Sequence, residues 1–498
     1  MYANALAMNP FRSCFLHAAG LCILSAVLSS ACTVGPDFVR PLSPELTRYT
    51  REKATISTVV ANGQAQHFVL GDELQADWWH LFQSVSLNAV VQQAIANNPS
   101  LQAAEASLRQ SQDNLRAGNG VFFPQVDVSA GASRARSAPL QQGSSANGTI
   151  FNVATLSGSI SYTLDIFGGE HRAVEGLQAQ IDYQRNLNRA AYLTLTANVV
   201  NTCIARAAYA AQISATQEII AIEQKQLQAT EAQQRAGTAA YSSVLSIRSL
   251  IAANQASLAP LQQKLSQTEH LLATLEGVLP SNLNLPDIEL SQISLPSALP
   301  VSLPSKLVRQ RPDILSAEAQ LHVASANIGV ATAAMFPKFS LSAIYGAEGT
   351  SLALGSDFWS IGPSLVAPIF NGGTLRADRQ AAIDAYQQSE ANYRQTVLDA
   401  FAQVADALKA LEHDAQTLRA QSDAWQFAGQ DLKLLQANYS AGMVAYLDVL
   451  AADVQFNQAS IAYLQALAQR QQDTVALFVA LGGGWWNGQA SADKSAKR

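Results

Sequence analysis

The histidines that could ligate a metal, at positions 17, 67, 80, 171, 270, 322 and 413, stand apart, and none forms a ligand pair at helical spacing. No His-Glu-x-x-His run, phosphate-cradling glycine loop or Gly-x-Ser-x-Gly elbow is present. After the first 31 residues only Met335 and Met443 remain, too few for a methionine-built copper or silver site. Acidic pairs such as Asp399 and Asp406 read as solvated helix faces or tunnel lining. No enzyme, resident metal or cofactor is expected.

The residue placed for covalent chemistry is Cys32. Residues 1–31 read as a secretory signal, with Arg12 before an apolar stretch from Cys14 to Val27 and then Leu28-Ser29-Ser30-Ala31. A cysteine directly after small residues has the lipobox pattern, in which that cysteine is acylated and becomes the mature N-terminus. Leu28 sits one place further upstream than in the commonest pattern. Thr33 follows, not aspartate, and this favours sorting to the outer membrane. Cys203 is then the only thiol of the mature body, so no internal disulfide can form. It is expected to be buried and inert.

The elements that must carry these residues are written twice. Ala236 to Leu245 returns 205 positions later as Ala441 to Leu450, and Asn98-Pro99 through Phe123-Pro124 returns at an offset of 213 as Arg311-Pro312 through Phe336-Pro337. Duplication on this scale points to scaffold. With 14% charged residues, a net charge of −6 and no basic stripe, the 498-residue chain offers nothing to nucleic acid. No stretch after residue 31 has 18 uninterrupted apolar residues, so no transmembrane helix is expected.

Four segments alternate with period two: from Val126 to Ser133, Ala154 to Ile166, Lys338 to Tyr345 and, less cleanly, Trp359 to Phe370. Glycine- and serine-rich links at 141–148 and 346–355 join them as hairpins. Such strands suit a soluble sandwich or a membrane barrel. Their length and the aromatic residues near their ends (Phe122, Phe123, Phe167, Phe336, Phe358, Trp359 and Phe370) favour the barrel. Four strands cannot close a barrel, since the smallest use about eight. Open edges are costly in lipid, so the chain must associate; three copies would supply twelve strands.

Glycine and proline are absent from 177–236, 374–428 and 443–481, which predicts long helices. The first run would span about 90 Å as one helix. Spacing such as Val397, Phe401, Val404, Leu408 and Leu411 makes an amphipathic stripe. The segments at Gly237-Thr238 and Gly442-Met443 read as turns closing helical hairpins. The domain reading is a signal at 1–31, an extended N-terminal segment at 32–75, a first repeat at 76–278, a proline-rich linker at 279–304, a second repeat at 305–486 and a polar tail at 487–498. The linker is expected along the outside of the body.

In consistent order over nearly all of 32–486, these residues resemble the TolC-type outer-membrane channel proteins, in their NodT-like lipoprotein branch. Cys32-Thr33-Val34-Gly35-Pro36-Asp37-Phe38 resembles that branch's mature N-terminus, and Trp78-Trp79 with Phe82 its next landmark, although aspartate is commoner there than Ser84. Arg311-Pro312-Asp313-Ile314, Glu318, Ile328-Gly329 and Phe336-Pro337 match its mid-chain signature. Pro368 to Gly373 and Leu481-Gly482-Gly483-Gly484-Trp485 match its later ones.

The resemblance implies a mostly α, duplicated TolC-like fold: a homotrimer with a twelve-stranded outer-membrane β-barrel on a twelve-helix periplasmic tunnel. It implies a passive exit duct for drugs or other toxic small molecules, lipid-anchored through Cys32, that works with a periplasmic adaptor and an inner-membrane RND-type transporter. The alternative, a duct for type I protein secretion, usually lacks the lipid anchor. A non-transport periplasmic scaffold would not need the strands.

The resemblance also implies a periplasmic constriction after the second turn, over Leu447, Asp448, Ala451, Asp453 and Val454. Leu447 keeps the family's apolar ring position. Ala451 stands where the gating carboxylate is usual, and Val454 where its basic partner is. Asp448 and Asp453 do not share Ala451's direction on a helix, so closure is expected to be mainly hydrophobic. Gly237, Thr238, Gly442 and Met443 are the expected adaptor contacts.

Overall fold

A computed structural model describes residues 33–46, 48–52, 55–136, 149–350 and 355–487. The signal, Cys32, the link at 141–148 and the tail beyond 487 lie outside the described residues. In chain order the elements used below are β1 (His67–Leu70), α1 (Val85–Asn97), α2 (Pro99–Gly118), β2 (Gln125–Arg136), β3 (Ile150–Leu164), α3 (Gly169–Arg235), α4 (Tyr241–Leu275), β4 (Ala298–Val301), α5 (Pro312–Ala333), β5 (Lys338–Gly349), β6 (Ser356–Val366), α6 (Thr374–Ser440) and α7 (Tyr446–Ala480).

The duplication is metrically regular. Helices α3 and α6 each have 67 residues, and α4 and α7 each have 35. The run from 177 is thus one helix, and α6 continues past Gly429. A glycine inside a helix costs about 1 kcal/mol relative to alanine. Here it admits Phe456 of α7, since a Cβ at 429 would stand 3.1 Å from that ring.

The chain divides into two compact units. One contains residues 109–183 and 318–392 with the N-terminal stretch to Arg40. Its antiparallel sheet has the order β2-β3-β5-β6. Pro363 lies in β6, an edge strand, where a missing N–H breaks no ladder within the chain. The last strand ends at Val366, so Pro368 and Phe370, expected in it, lie beyond it.

The other unit holds residues 41–108, 184–317 and 393–498. Its core gathers Trp78, Trp79 and Phe82 against Phe478, with the Trp78 and Phe478 ring centroids 5.6 Å apart. This explains the double tryptophan as packing. The linker does not simply lie outside: Ile288, Leu290, Ile293, Leu299 and Val301 are buried in this core, and β4 pairs in parallel with β1. The physical reason is its alternating apolar side chains, which need a partner surface.

The segments Arg311 to Ile314 and Leu481 to Trp485 are joined in the same unit. Arg311 grips Asp313 with two donors, Nε at 3.0 Å and Nη2 at 2.6 Å, and Nη1 donates to the Ala480 carbonyl at 2.8 Å. It thereby satisfies an end carbonyl of α7 that has no partner within the helix. Gly482, Gly483 and Gly484 follow with φ of +95°, +75° and +71°, where a side chain is strained and would meet Arg311, Leu193 and Leu74.

Candidate functional site

Register places the apolar residues of the sheet on one face. Cross-strand rows read Val126, Ile160, Ala343, Ile361 and Val128, Gly158, Tyr345, Trp359. Their large side chains are solvent-exposed, Val128 at 77% and Trp359 at 70%. The opposite face is rich in serine, with rows such as Gln125, Ser161, Ser342, Gly362, and Ser129 and Ser157 share a hydrogen bond of 2.8 Å. Phe358 lies across Gly346, where an added Cβ would collide with it.

Phe122 and Phe123 precede β2, Phe167 follows β3, Phe336 precedes β5 and Phe370 follows β6. In an antiparallel sheet these points share one end. Phe167 stacks on Phe336 with centroids 4.7 Å apart, and Phe370 is 92% exposed. Strands of 12, 15, 12 and 11 residues reach or exceed the ~9–11 that cross a bilayer at a tilt.

At this aromatic end the N-terminal signature is docked. The Val34 N–H donates to the Phe167 carbonyl at 3.1 Å, and Thr33 packs on Gly168. Arg172, 5% exposed, donates to Asp37 at 2.6 Å and to Glu175 at 2.7 Å. Phe38 stacks on His322, centroids 4.2 Å apart, and Arg40 pairs with Glu318 at 2.8 Å. Gly35 lies against Gly329, where a side chain on Gly35 would not fit. The N-terminal signature is thus held against the mid-chain one, Gly35 on Gly329, while Asp37 pairs with Arg172, Phe38 with His322 and Glu318 with Arg40.

In the other unit, each hairpin turn ends a 67-residue helix in a left-handed glycine. Gly237 N–H donates to Gln234 and Thr238 N–H to Gln233, at 3.0 and 2.9 Å. Gly442 and Met443 repeat the pattern on Tyr439 and Asn438 at 2.9 Å each. This is the Schellman closure. A Cβ at either glycine would meet nothing within 4 Å, so it is the backbone angle that calls for glycine. Tyr439 Oη donates to Gln233 Oε1 at 3.1 Å, and Met443 is exposed.

Leu447, Ala451 and Val454 lie at i, i+4 and i+7 on α7, one face of the helix. With Leu450 they line an open groove whose other wall is Ser246, Ser249, Leu250 and Ala253 of α4. Leu447 is 69% exposed. Asp448 accepts from the Ala445 N–H at 3.1 Å and so caps α7. Asp453 faces away from the groove, toward Glu223 of α3.

Two acidic contacts of α7 were not anticipated. Glu223, buried, accepts from Asn254 Nδ2 at 2.7 Å, and Asn254 accepts from Asn457 Nδ2 at 3.0 Å. Burial, then the neighbouring Asp453 carboxyl, pushes Glu223 up to about 8; Asp453 is also raised by burial. Asp414 of α6 meets Asp473 and is pushed up to about 8, by burial first and then by that contact. Arg470 beside them is buried, donating from Nε to Gln66 and from Nη2 to Thr58, each at 3.1 Å. Isolated acids on helices carry no period that reveals such meetings. Cys203 is buried in the core and burial pushes its thiol up to about 12.

Residues 90–278 and 303–483 match the sequence profile of the family described as outer membrane efflux protein. The chain is 32% identical to the pyoverdine export outer membrane protein OpmQ of Pseudomonas putida over 416 residues, 82% of this chain and 88% of that one. It is 26% identical to the probable outer membrane lipoprotein SilC of Salmonella typhimurium over 469 residues, 92% and 97% of the two chains. The solved outer-membrane channel OprN superimposes with a TM-score of 0.80 at 26% identity, covering 91% of this chain and 100% of that one. With its duplicated helices, alternating sheet and signatures in place, the chain belongs to the outer membrane efflux protein family and is an outer-membrane efflux channel of TolC-like fold.

Proposed function

We propose that three copies close a twelve-stranded barrel and form, with their long helices, a passive duct for small organic molecules. The observation that carries this is the sheet. Strands β2 and β6 are unpaired edges within the chain, which lipid does not tolerate without neighbouring copies, and one face is apolar and exposed, as a surface turned toward lipid must be. The serine-rich face then lines the lumen. Substrate of the OpmQ type, an exported small molecule, fits the reading better than a metal ion, for which the two mature methionines offer no ligand set.

Cys32 carries the lipid. The fixed position of Thr33 beside Gly168, at the aromatic end of the sheet, supports acyl chains entering the membrane next to the strands. A periplasmic adaptor docks at the turns of Gly237-Thr238 and Gly442-Met443, and an inner-membrane RND-type transporter drives the substrate. The duct closes through an apolar ring of Leu447 with Val454, since the carboxylates nearby are spent on capping and on Glu223.

Conductance in planar bilayers tests the closure. Leu447→Ser is expected to pass several times the current of the wild-type protein, because a hydroxyl admits water where an apolar ring excludes it. Equal currents would reject the apolar gate.

A further inference from the structure

Helix α7 is held from two sides by carboxyl groups that each keep one buried oxygen without a donor among the described residues. Glu223 Oε2 and Asp414 Oδ2 are buried, and no N–H or hydroxyl donor reaches either among the described residues. Each side chain meets a second carboxyl, Asp453 and Asp473 respectively. Two ionised carboxylates cannot hydrogen-bond, and a buried acceptor without a donor is costly. A proton on Glu223, and one on Asp414, supplies the missing donor and removes the repulsion.

Asp453 and Asp473 belong to α7, while Glu223 is on α3 and Asp414 on α6. At about 100° per residue, the spacing from 453 to 473 turns the two aspartates to opposite faces of α7. One pair therefore fastens α7 to α3 and the other fastens it to α6. The same helix carries Leu447, Ala451 and Val454, so its position sets the width of the proposed constriction.

Two cations stand near the pairs, and Arg470 favours the ionised form of Asp414, but burial outweighs it and Asp414 stays raised. About the first stand Asn254 of α4, Tyr446 and Asn457 of α7 and Tyr439 of α6, with Glu218 of α3 and Lys433 of α6 lining the cavity of about 890 Å³ that Asp453 also borders. About the second stand Arg470 and Gln469 of α7; Gln469 Nε2 donates to Asp473 at 2.8 Å. Arg470 directs Nε and Nη2 to Gln66 and Thr58 of the N-terminal segment, and its Nη1 finds no acceptor among the described residues.

We propose that these two proton-sharing carboxyl pairs form a clamp that holds α7 in the closed position, and that loss of the shared protons releases it. The proposal rests on the channel reading above and adds its regulation by pH. In the closed state Glu223 holds its proton up to about 8, whereas a solvated glutamate releases it near 4.5. The closed state is therefore favoured most below the lower value, and the preference fades as pH rises through the upper one. Each pair changes the open-to-closed ratio by at most about tenfold per pH unit. A neighbouring machine that withdraws protons from this end, or a compartment of changing pH, would then bias the duct.

The test uses the purified full-length protein in planar bilayers from about pH 5 to about pH 9, the span of the linkage window. Wild-type current is expected to rise with pH by tenfold or more. The double variant Glu223→Gln with Asp414→Asn, which supplies the donors permanently, should stay at the low current throughout. Flat wild-type current while Leu447→Ser conducts would overturn the clamp and leave the channel standing; no current from any form would remove both. Infrared difference spectroscopy provides a second readout. Protonated-carboxyl C=O absorption near neutral pH, lost in the double variant and on alkalinisation, is expected; its absence from the wild type would overturn the clamp whatever the currents.

Discussion

Gly237 and Gly442 stand 205 residues apart at the same step of the duplicated chain, each in the left-handed region at φ of +79° and +73°. Each follows a 67-residue helix and precedes a 35-residue one. Alanine at either position pays the left-handed penalty, about 1–2 kcal/mol, and nothing for crowding. Gly442→Ala should lower the thermal midpoint slightly and leave efflux intact. Gly442→Glu should fold and assemble yet abolish resistance in cells that depend on this duct, because a charge at the turn obstructs the adaptor. Normal resistance in that variant, at normal trimer levels, would argue against docking at the turns.

Arg311 is expected to matter for stability and not for transport. Lysine offers one ammonium where the guanidinium serves Asp313, Gln403 and the Ala480 carbonyl at once. Arg311→Lys should cost about 1–3 kcal/mol in thermal or denaturant unfolding of the detergent-solubilised protein. Conductance per assembled channel should be unchanged; a changed conductance at full stability would mean the arginine acts on the duct itself.

Cys203 should resist thiol reagents. Its side chain is fully buried, and a thiol pushed up to about 12 holds almost no thiolate at neutral pH. Maleimide is expected to add to the mature protein only after denaturation, as read by intact mass. Labelling of the native protein at the rate of an exposed cysteine would contradict the packing described.

Gly346 should tolerate no side chain. Gly346→Val would drive a Cβ into Phe358 and Ser157 on the serine-rich face. The expected outcome is a large fall in assembled protein recovered from outer membranes, with Gly362→Ala as a control because a Cβ at 362 meets nothing within 4 Å. Equal recovery of both variants would show that the sheet is arranged differently.

Much of this could be read from residues alone, where a period or a repeat carries the information. Strict alternation placed Val126, Ile160 and Leu341 on one face, and the repeated Ala-Gly steps marked both turns. The pairing of β1 with β4 left no such trace, because four residues at 67–70 and four at 298–301 are too short to show a period and too far apart to suggest a hairpin. The burial of Arg470 and the meetings of Glu223 with Asp453 and Asp414 with Asp473 were equally hidden. A polar residue on a long amphipathic helix looks solvated until the neighbouring helix is known. Asp399 is in fact such a residue, exposed and bonded only to Gln395 among the hydrogen bonds described, at 2.7 Å.

This chain is expected to make its membrane channel only as three lipid-anchored copies. Native mass spectrometry of the detergent-extracted mature protein tests it directly, giving subunit count and acyl mass together. A trimer whose subunits begin at Cys32 and carry diacyl or triacyl mass is the predicted result. A monomer without lipid would contradict it, leaving the edges of β2 and β6 unpaired in a membrane that cannot accommodate them.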